Sequence, residues 1–165
     1  MTESGALPSG VQRVIDALAA LGHPYAPVML DASARTAQEA ADALGIHVGQ
    51  IAKSIIFRRR QDDAAVLAIT SGDQRVDEKK VAGLIGKIGR ADADFVKEKT
   101  GFSIGGVPPV AHASRPVILI DELLFRFDEI WAAAGHPRAV FRLAPDNLRS
   151  LTHGGAVADI AKEDA

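Results

Sequence analysis

Three glycines and two prolines fall within nine residues in Gly101-Phe102-Ser103-Ile104-Gly105-Gly106-Val107-Pro108-Pro109. Glycine permits positive φ and lets the backbone approach a ligand closely. Successive backbone N–H groups in such a loop can form a concave anion site. Ester hydrolysis needs one, because the carbonyl oxygen becomes negative in the tetrahedral transition state. The same composition also builds a tight surface loop with a rigid Pro-Pro exit. Composition alone leaves both readings open.

A second residue stands out for its surroundings. Lys53 lies in the apolar run Ile51-Ala52-Lys53-Ser54-Ile55-Ile56-Phe57. Strand alternation gives Ile51, Lys53, Ile55 and Phe57 one face. A charge there is costly unless it reaches a partner or a cleft. It could hold a phosphate or a carbonyl oxygen, or its stem could pack on apolar surface while the head reaches water.

Other chemistries find less support. Arg58, Arg59 and Arg60, with Arg75, Lys79, Lys80 and Lys87, could form a basic rim for RNA phosphates, although solvated strand ends look the same. Aromatic residues are only 5% of the chain, which argues against extended base stacking. The histidines are His23, His47, His112, His136 and His153, without metal-ligand spacing, so no metal or other cofactor is expected. There is no cysteine, hence no thiol nucleophile, and no G-x-S-x-G elbow. His112, just after the glycine loop, is the one histidine considered for a site.

The elements that must position these residues follow from periodicity and stop signals. Ser9 is expected to cap a helix carrying Val11, Val14, Ile15, Leu18 and Leu21, stopped by Gly22. Residues 25–30 suggest an extended edge segment. A second helix runs from about Thr36 to Leu44, before Gly45. The run ending in Arg58-Arg59-Arg60 and the strand Ala65 to Thr70 form a hairpin. Asp77 and Asp92 cap further helices around a short strand at 88–91. Strands are expected at 117–120, at 129–133 and 138–143 as a second hairpin across Gly135-His136-Pro137, and at 156–160, with a late helix from Pro145. This pattern predicts an α/β fold of the α+β type. It is a single compact domain over 1–165, core about 11–160, with a mixed, largely antiparallel sheet and packed helices.

The bulk properties agree with such a domain. The chain has 165 residues, 47% hydrophobic and 24% charged. Residues 1–10 lack the pattern of a secretory leader, and no stretch reaches the roughly 20 apolar residues of a membrane span. A cytoplasmic protein is expected, with no membrane partner. A net charge of −2 argues against bulk electrostatic gripping of nucleic acid, and no DNA-recognition motif is present. Contact with one RNA end through a local patch remains compatible.

In order, the chain carries Thr36 with Ala40-Ala41 and Leu44-Gly45, the run 51–57, then Ser71-Gly72-Asp73, then the glycine loop. It continues through Val117-Ile118-Leu119-Ile120-Asp121 and Ala133-Ala134-Gly135. This set resembles the YbaK/ProX (also YbaK/EbsC) family of tRNA-editing proteins, from about Val11 to Ile160. The resemblance implies the fold of the prolyl-tRNA synthetase editing insertion. It implies an aminoacyl-tRNA deacylase that hydrolyses mischarged tRNA, chiefly tRNA(Pro) carrying a wrong small amino acid. Prolyl-tRNA synthetase or an elongation factor is a potential partner. Lys53 matches the family's functional lysine, and Gly101, Gly105 and Gly106 match its glycine loop.

From these positions, Lys53, Gly105 and Gly106 are expected to be catalytic: the lysine holds a carbonyl or phosphate, and the glycine amides meet the oxyanion. Thr36, Ser71, Gly72, Asp73, Gly101 and His112 are the substrate-binding candidates. The family loop varies where this chain has Ile104-Gly105, which leaves the amino acid open. The competing readings are a non-catalytic module that binds aminoacyl-tRNA or an amino acid, and a protein that edits only when docked on a synthetase.

Overall fold

Continuous burial organises the molecule around one strand. A computed structural model describes residues 7–163, so the first six residues of the 1–10 leader reading lie outside it. Ala65–Ser71 (β3) is buried at every position, as its unbroken apolar run Ala65 to Ile69 requires of a strand covered on both faces. Ile51–Arg59 (β2) pairs antiparallel with β3 from Ala52↔Ser71 to Arg58↔Ala65. On the other side of β3, Val117–Asp121 (β5) pairs in parallel, followed by Ala156–Ala158 (β8).

The other edge of β2 receives two strands from distant parts of the chain. Ile130–Ala133 (β6) pairs in parallel with Ile51 and Ala52 only. Ile88–Arg90 (β4) pairs antiparallel with Phe57, Arg58 and Arg59. Ala139–Leu143 (β7) forms a hairpin with β6, and Val28–Met29 (β1) pairs with β7. The sheet has eight strands in the order β1-β7-β6-β2-β3-β5-β8, with β4 on β2. Four pairings are antiparallel and three parallel, so the sheet is mixed, as expected.

Helices Ser9–Ala20 (α1), Ala37–Leu44 (α2), Glu78–Ile85 (α3), Ala93–Thr100 (α4) and Pro145–Leu151 (α5) complete the fold. Pro8 stands at the cap of α1 and Ser9 is its first helical residue, correcting the expected cap. Asp77 and Asp92 do cap α3 and α4 by accepting backbone N–H bonds. The two sheet faces carry separate cores. One joins α1 and the glycine loop to Leu67, Ile69 and Phe141. The other joins Phe57, Val66, Ala68 and Leu119 to Val81 of α3 and to Ile160. No helix among the described residues is long and apolar enough to cross a membrane.

The N-terminal turn of α1 meets the β6–β7 turn backbone to backbone. A Cβ on Gly10 would collide with the carbonyl oxygen of Gly135. The substitution Gly10→Ala is therefore expected to cost about 1–3 kcal/mol, as overpacking does. Urea denaturation measures it, and an unchanged midpoint would show that α1 is not pinned there.

Candidate active site

The middle of β2 is left without a neighbour on one edge. Among the described residues β6 stops at Ala52 and β4 starts at Phe57, so positions 53–56 face a gap. Alternation says which groups face it. Arg59 N–H donates to Ala64 on the β3 side, and Arg60 N–H donates to Lys87 on the β4 side. The even-numbered residues therefore turn their backbone outward, and Ser54 and Ile56 present N–H and C=O groups to the gap. Unpaired backbone polar groups at a partly buried position are a ready hydrogen-bonding surface.

The glycine loop closes over this gap on one face. Ser54, Ile56, Val96, Ile104, Gly105 and Val107 line a cavity of about 130 Å³ there. Gly105 has φ +92 and is exposed, and its N–H has no acceptor among the described residues. Gly106 differs. Its N–H donates to Ser103 O at 3.1 Å, and its carbonyl accepts from Gly135 N at 2.9 Å. Of the two glycines expected to offer amides to an oxyanion, Gly106 thus uses its own to lock the loop, packed on the His136 backbone. The Ser54 hydroxyl is buried and has no hydrogen-bond partner.

Arg13 of α1 anchors both ends of the loop. Its guanidinium donates to Gly101 O at 2.9 Å and to Ala111 O at 3.1 Å, and it lies 4.3 Å from the Phe102 ring centroid. Gly101 has φ +81 as the left-handed cap of α4, so its place in the loop is structural. Ala111 also has positive φ, +67.

Lys53 emerges on the opposite face of β2 from Ser54, half-buried, beside Thr70 of β3. Burial pulls its ammonium below the ordinary lysine range. The Arg75 guanidinium acts in the same direction and the Asp73 carboxylate opposes it. Asp73 is held by Arg126, with contacts of 2.8 and 2.9 Å. Lysine and glycine loop thus flank the same open edge from its two sides.

The remaining candidates lie elsewhere or have other work. Thr36 caps α2, accepting from Glu39 N at 3.1 Å, while Glu39 accepts from Thr36 N. Gly72 sits so close to Val48 O, Ala37 and Ile51 that it serves packing. Ser71 is wholly buried at the end of β3, its hydroxyl unpartnered. The His112 ring nitrogen Nε2 lies 2.6 Å from Pro108 O, and the residue lines a separate groove of about 350 Å³ with Ala17, Arg115 and His153. Of the basic rim, Arg58 pairs with Asp63 and Arg59 with Asp62. Among the described residues no cluster of three or more His, Asp or Glu could hold a metal.

Sequence reasoning missed the open edge at Ser54 and Ile56 and the clamp by Arg13. Neither has a local signature, since both depend on which strands and helices meet.

The chain matches the aminoacyl-tRNA editing domain family over residues 31–151. It is similar to YwhH, an uncharacterised protein of Bacillus subtilis (strain 168), 31% identical over 134 residues, 81% of this chain and 85% of that protein. It is similar to EbsC of Enterococcus faecalis, a candidate Cys-tRNA(Pro)/Cys-tRNA(Cys) deacylase, 28% identical over 130 residues, 78% of this chain and 79% of that one. Its fold superposes on the crystal structure of a candidate trans-editing enzyme for prolyl-tRNA synthetase with a TM-score of 0.89. The identity is 42%, and the match covers 96% of this chain and 100% of that one.

Two substitutions separate loop anchoring from cap chemistry. Thr36→Ala should lower stability by about 1 kcal/mol by removing the cap, with turnover unaffected. Arg13→Gln should lower kcat by about tenfold or more, because small misplacements of a reacting group are costly. Urea melts and single-turnover deacylation of mischarged tRNA by both variants check this; an Arg13→Gln variant with native kcat would remove the clamp from the candidate site.

Proposed function

This chain belongs to the aminoacyl-tRNA editing domain family, and on that premise we propose that it is a trans-editing deacylase. It hydrolyses the ester between a wrong small amino acid and the 3′ end of tRNA, with tRNA(Pro) as the first candidate, and it works in the cytoplasm. The observation that carries this reading is the open edge of β2 at 53–56, with Lys53 on one face and the Gly105 cavity on the other.

An aminoacyl end laid along that edge meets backbone donors directed at it from two elements. The acyl carbonyl sits among N–H groups of Ser54, Ile56 and Gly105. The amino-acid side chain enters the small cavity under Ile104 and Val107. Lys53 neutralises the terminal phosphate on the other side. Water adds to the carbonyl carbon, and the N–H groups stabilise the oxyanion as it forms. The C–O bond to the ribose then breaks, the ribose oxygen takes a proton, and the free amino acid leaves as carboxylate. An ester needs no strong nucleophile for this, so orientation and oxyanion stabilisation supply the acceleration.

Editing of this kind answers a physical limit. A synthetase pocket distinguishes amino acids differing by one methylene by only about 1–3 kcal/mol. A cavity of about 130 Å³ acts as the second sieve, admitting small side chains.

Deacylation of tRNA(Pro) charged separately with Ala, Cys, Ser, Thr and Pro tests the reading. One or more mischarged species should be hydrolysed and Pro-tRNA(Pro) spared, and Lys53→Ala should lower kcat/KM by about 100-fold, the scale of losing one hydrogen bond between charged groups. No hydrolysis of any species, or an unchanged Lys53→Ala, sinks the proposal. The pH dependence has a defined sign. The cationic lysine is the active form and its pKa is lowered. Activity should therefore fall as pH rises through a value below the usual lysine pKa of about 10.4.

A further inference from the structure

A row of polar groups crosses three strands behind Lys53, on the face of the sheet that the second core otherwise fills. Lys53 on β2 stands opposite Thr70 on β3. β3 and β5 run in the register Ala68↔Leu119, Ile69↔Ile120, and its next step brings Thr70 beside Asp121. Pairing partners point to the same face, so Lys53, Thr70 and Asp121 form one lateral row at strand spacings of about 4.8 Å. Thr70 and Asp121 are both 0% exposed.

The two buried members have unmet hydrogen-bonding capacity. The Thr70 hydroxyl and the Oδ2 oxygen of Asp121 have no partner. Asp121 Oδ1 accepts from Ile160 N at 3.2 Å, which ties the carboxyl to the C-terminal segment and leaves its second oxygen available. Buried polar groups in native proteins are almost always bonded. A hydroxyl between an ammonium donor and a carboxyl acceptor satisfies both, since it accepts with a lone pair and donates its hydrogen.

We propose that Thr70 is a positioning residue for Lys53: its hydroxyl, which bonds neither neighbour in this structure, turns about its Cα–Cβ bond to accept from the lysine ammonium and donate to Asp121, so that a buried carboxyl aligns and supports the lysine from within the sheet. This rests on the deacylase reading for its purpose but not for its geometry. The row is backed by the segment Asp73 to Asp77 and by the C-terminal residues it holds, through Asp77 N to Ile160 O and Lys162 N to Arg75 O. The charges facing Lys53 are Arg75 and Asp73, the latter paired with Arg126. Those facing Asp121 are Asp159 and Glu122, with Lys80 paired to Asp159. Burial raises the Asp121 carboxyl above its ordinary range, and the Ile160 N–H opposes this.

The test is the titration of Lys53 itself, followed by NMR of ¹³Cε-labelled lysine, with its signal assigned by Lys53→Arg. Thr70→Val keeps the shape and removes the hydroxyl. It should lower the Lys53 pKa by about one unit, the scale of one hydrogen bond to a charged group. Thr70→Ser should restore it, and Asp121→Asn, which keeps an acceptor for Ile160 N, should lower it in the same direction. A Lys53 titration unmoved in folded Thr70→Val and Asp121→Asn overturns the row and leaves both residues as packing elements. Deacylation by the same variants separates the two ideas. If the titration moves but wild-type enzyme hydrolyses no mischarged tRNA, the row stands and the deacylase reading falls.

Discussion

The structure depends on one unfilled requirement of sheet geometry. A strand buried within a sheet needs hydrogen-bond partners along both edges. β2 has a continuous partner in β3 but two short ones on its other side, and these do not meet. β6 arrives in parallel from residues 130–133 and β4 antiparallel from residues 88–90. Opposite directions and different origins prevent them from merging into one strand. The interval between them is the candidate site, and the groups it bares are backbone atoms whose positions the β3 pairing holds rigid.

Electrostatics follow from that layout. Alternation puts Lys53 and Ser54 on opposite faces, so a single stretch of strand offers a cation to one side and an apolar cavity with a lone hydroxyl to the other. A ligand that carries charge and a small apolar group at neighbouring positions can use both by lying across the edge. Among the described residues the Gly105 amide has no acceptor, whereas Gly106 uses its own within the loop. Two adjacent glycines thus divide the labour of contact and support.

How much of this was legible in the residues depends on range. Helices with local stop or cap signals, such as the one closed by Gly45 and those capped by Asp77 and Asp92, were readable, because the interactions that define them lie within one turn. The β2–β3 and β6–β7 hairpins were readable for a similar reason. Lys53 stood out because a charge interrupted an apolar alternation. The mixed character of the sheet was expected, yet the parallel pairings of β2 with β6 and of β3 with β5 join segments tens of residues apart and leave no local pattern. Ser54 carries no local signature, and only the assembled sheet shows it at a gap. His112 drew notice by adjacency to the loop, but the chain turns at Ala111 and carries it into another groove.

The Arg13 clamp has a consequence for modularity. α1 lies outside residues 31–151, the segment that matches the editing family, yet it holds both ends of the loop within that segment. The matched portion is therefore not a self-sufficient cassette. Transplanted into another chain, it would carry its lysine and its glycines but not the restraint that orients them. A host would have to evolve its own brace at the same two carbonyls. Homologous segments in different hosts can thus share a sequence signature while differing in how stiffly they present it, and so in how well they discriminate.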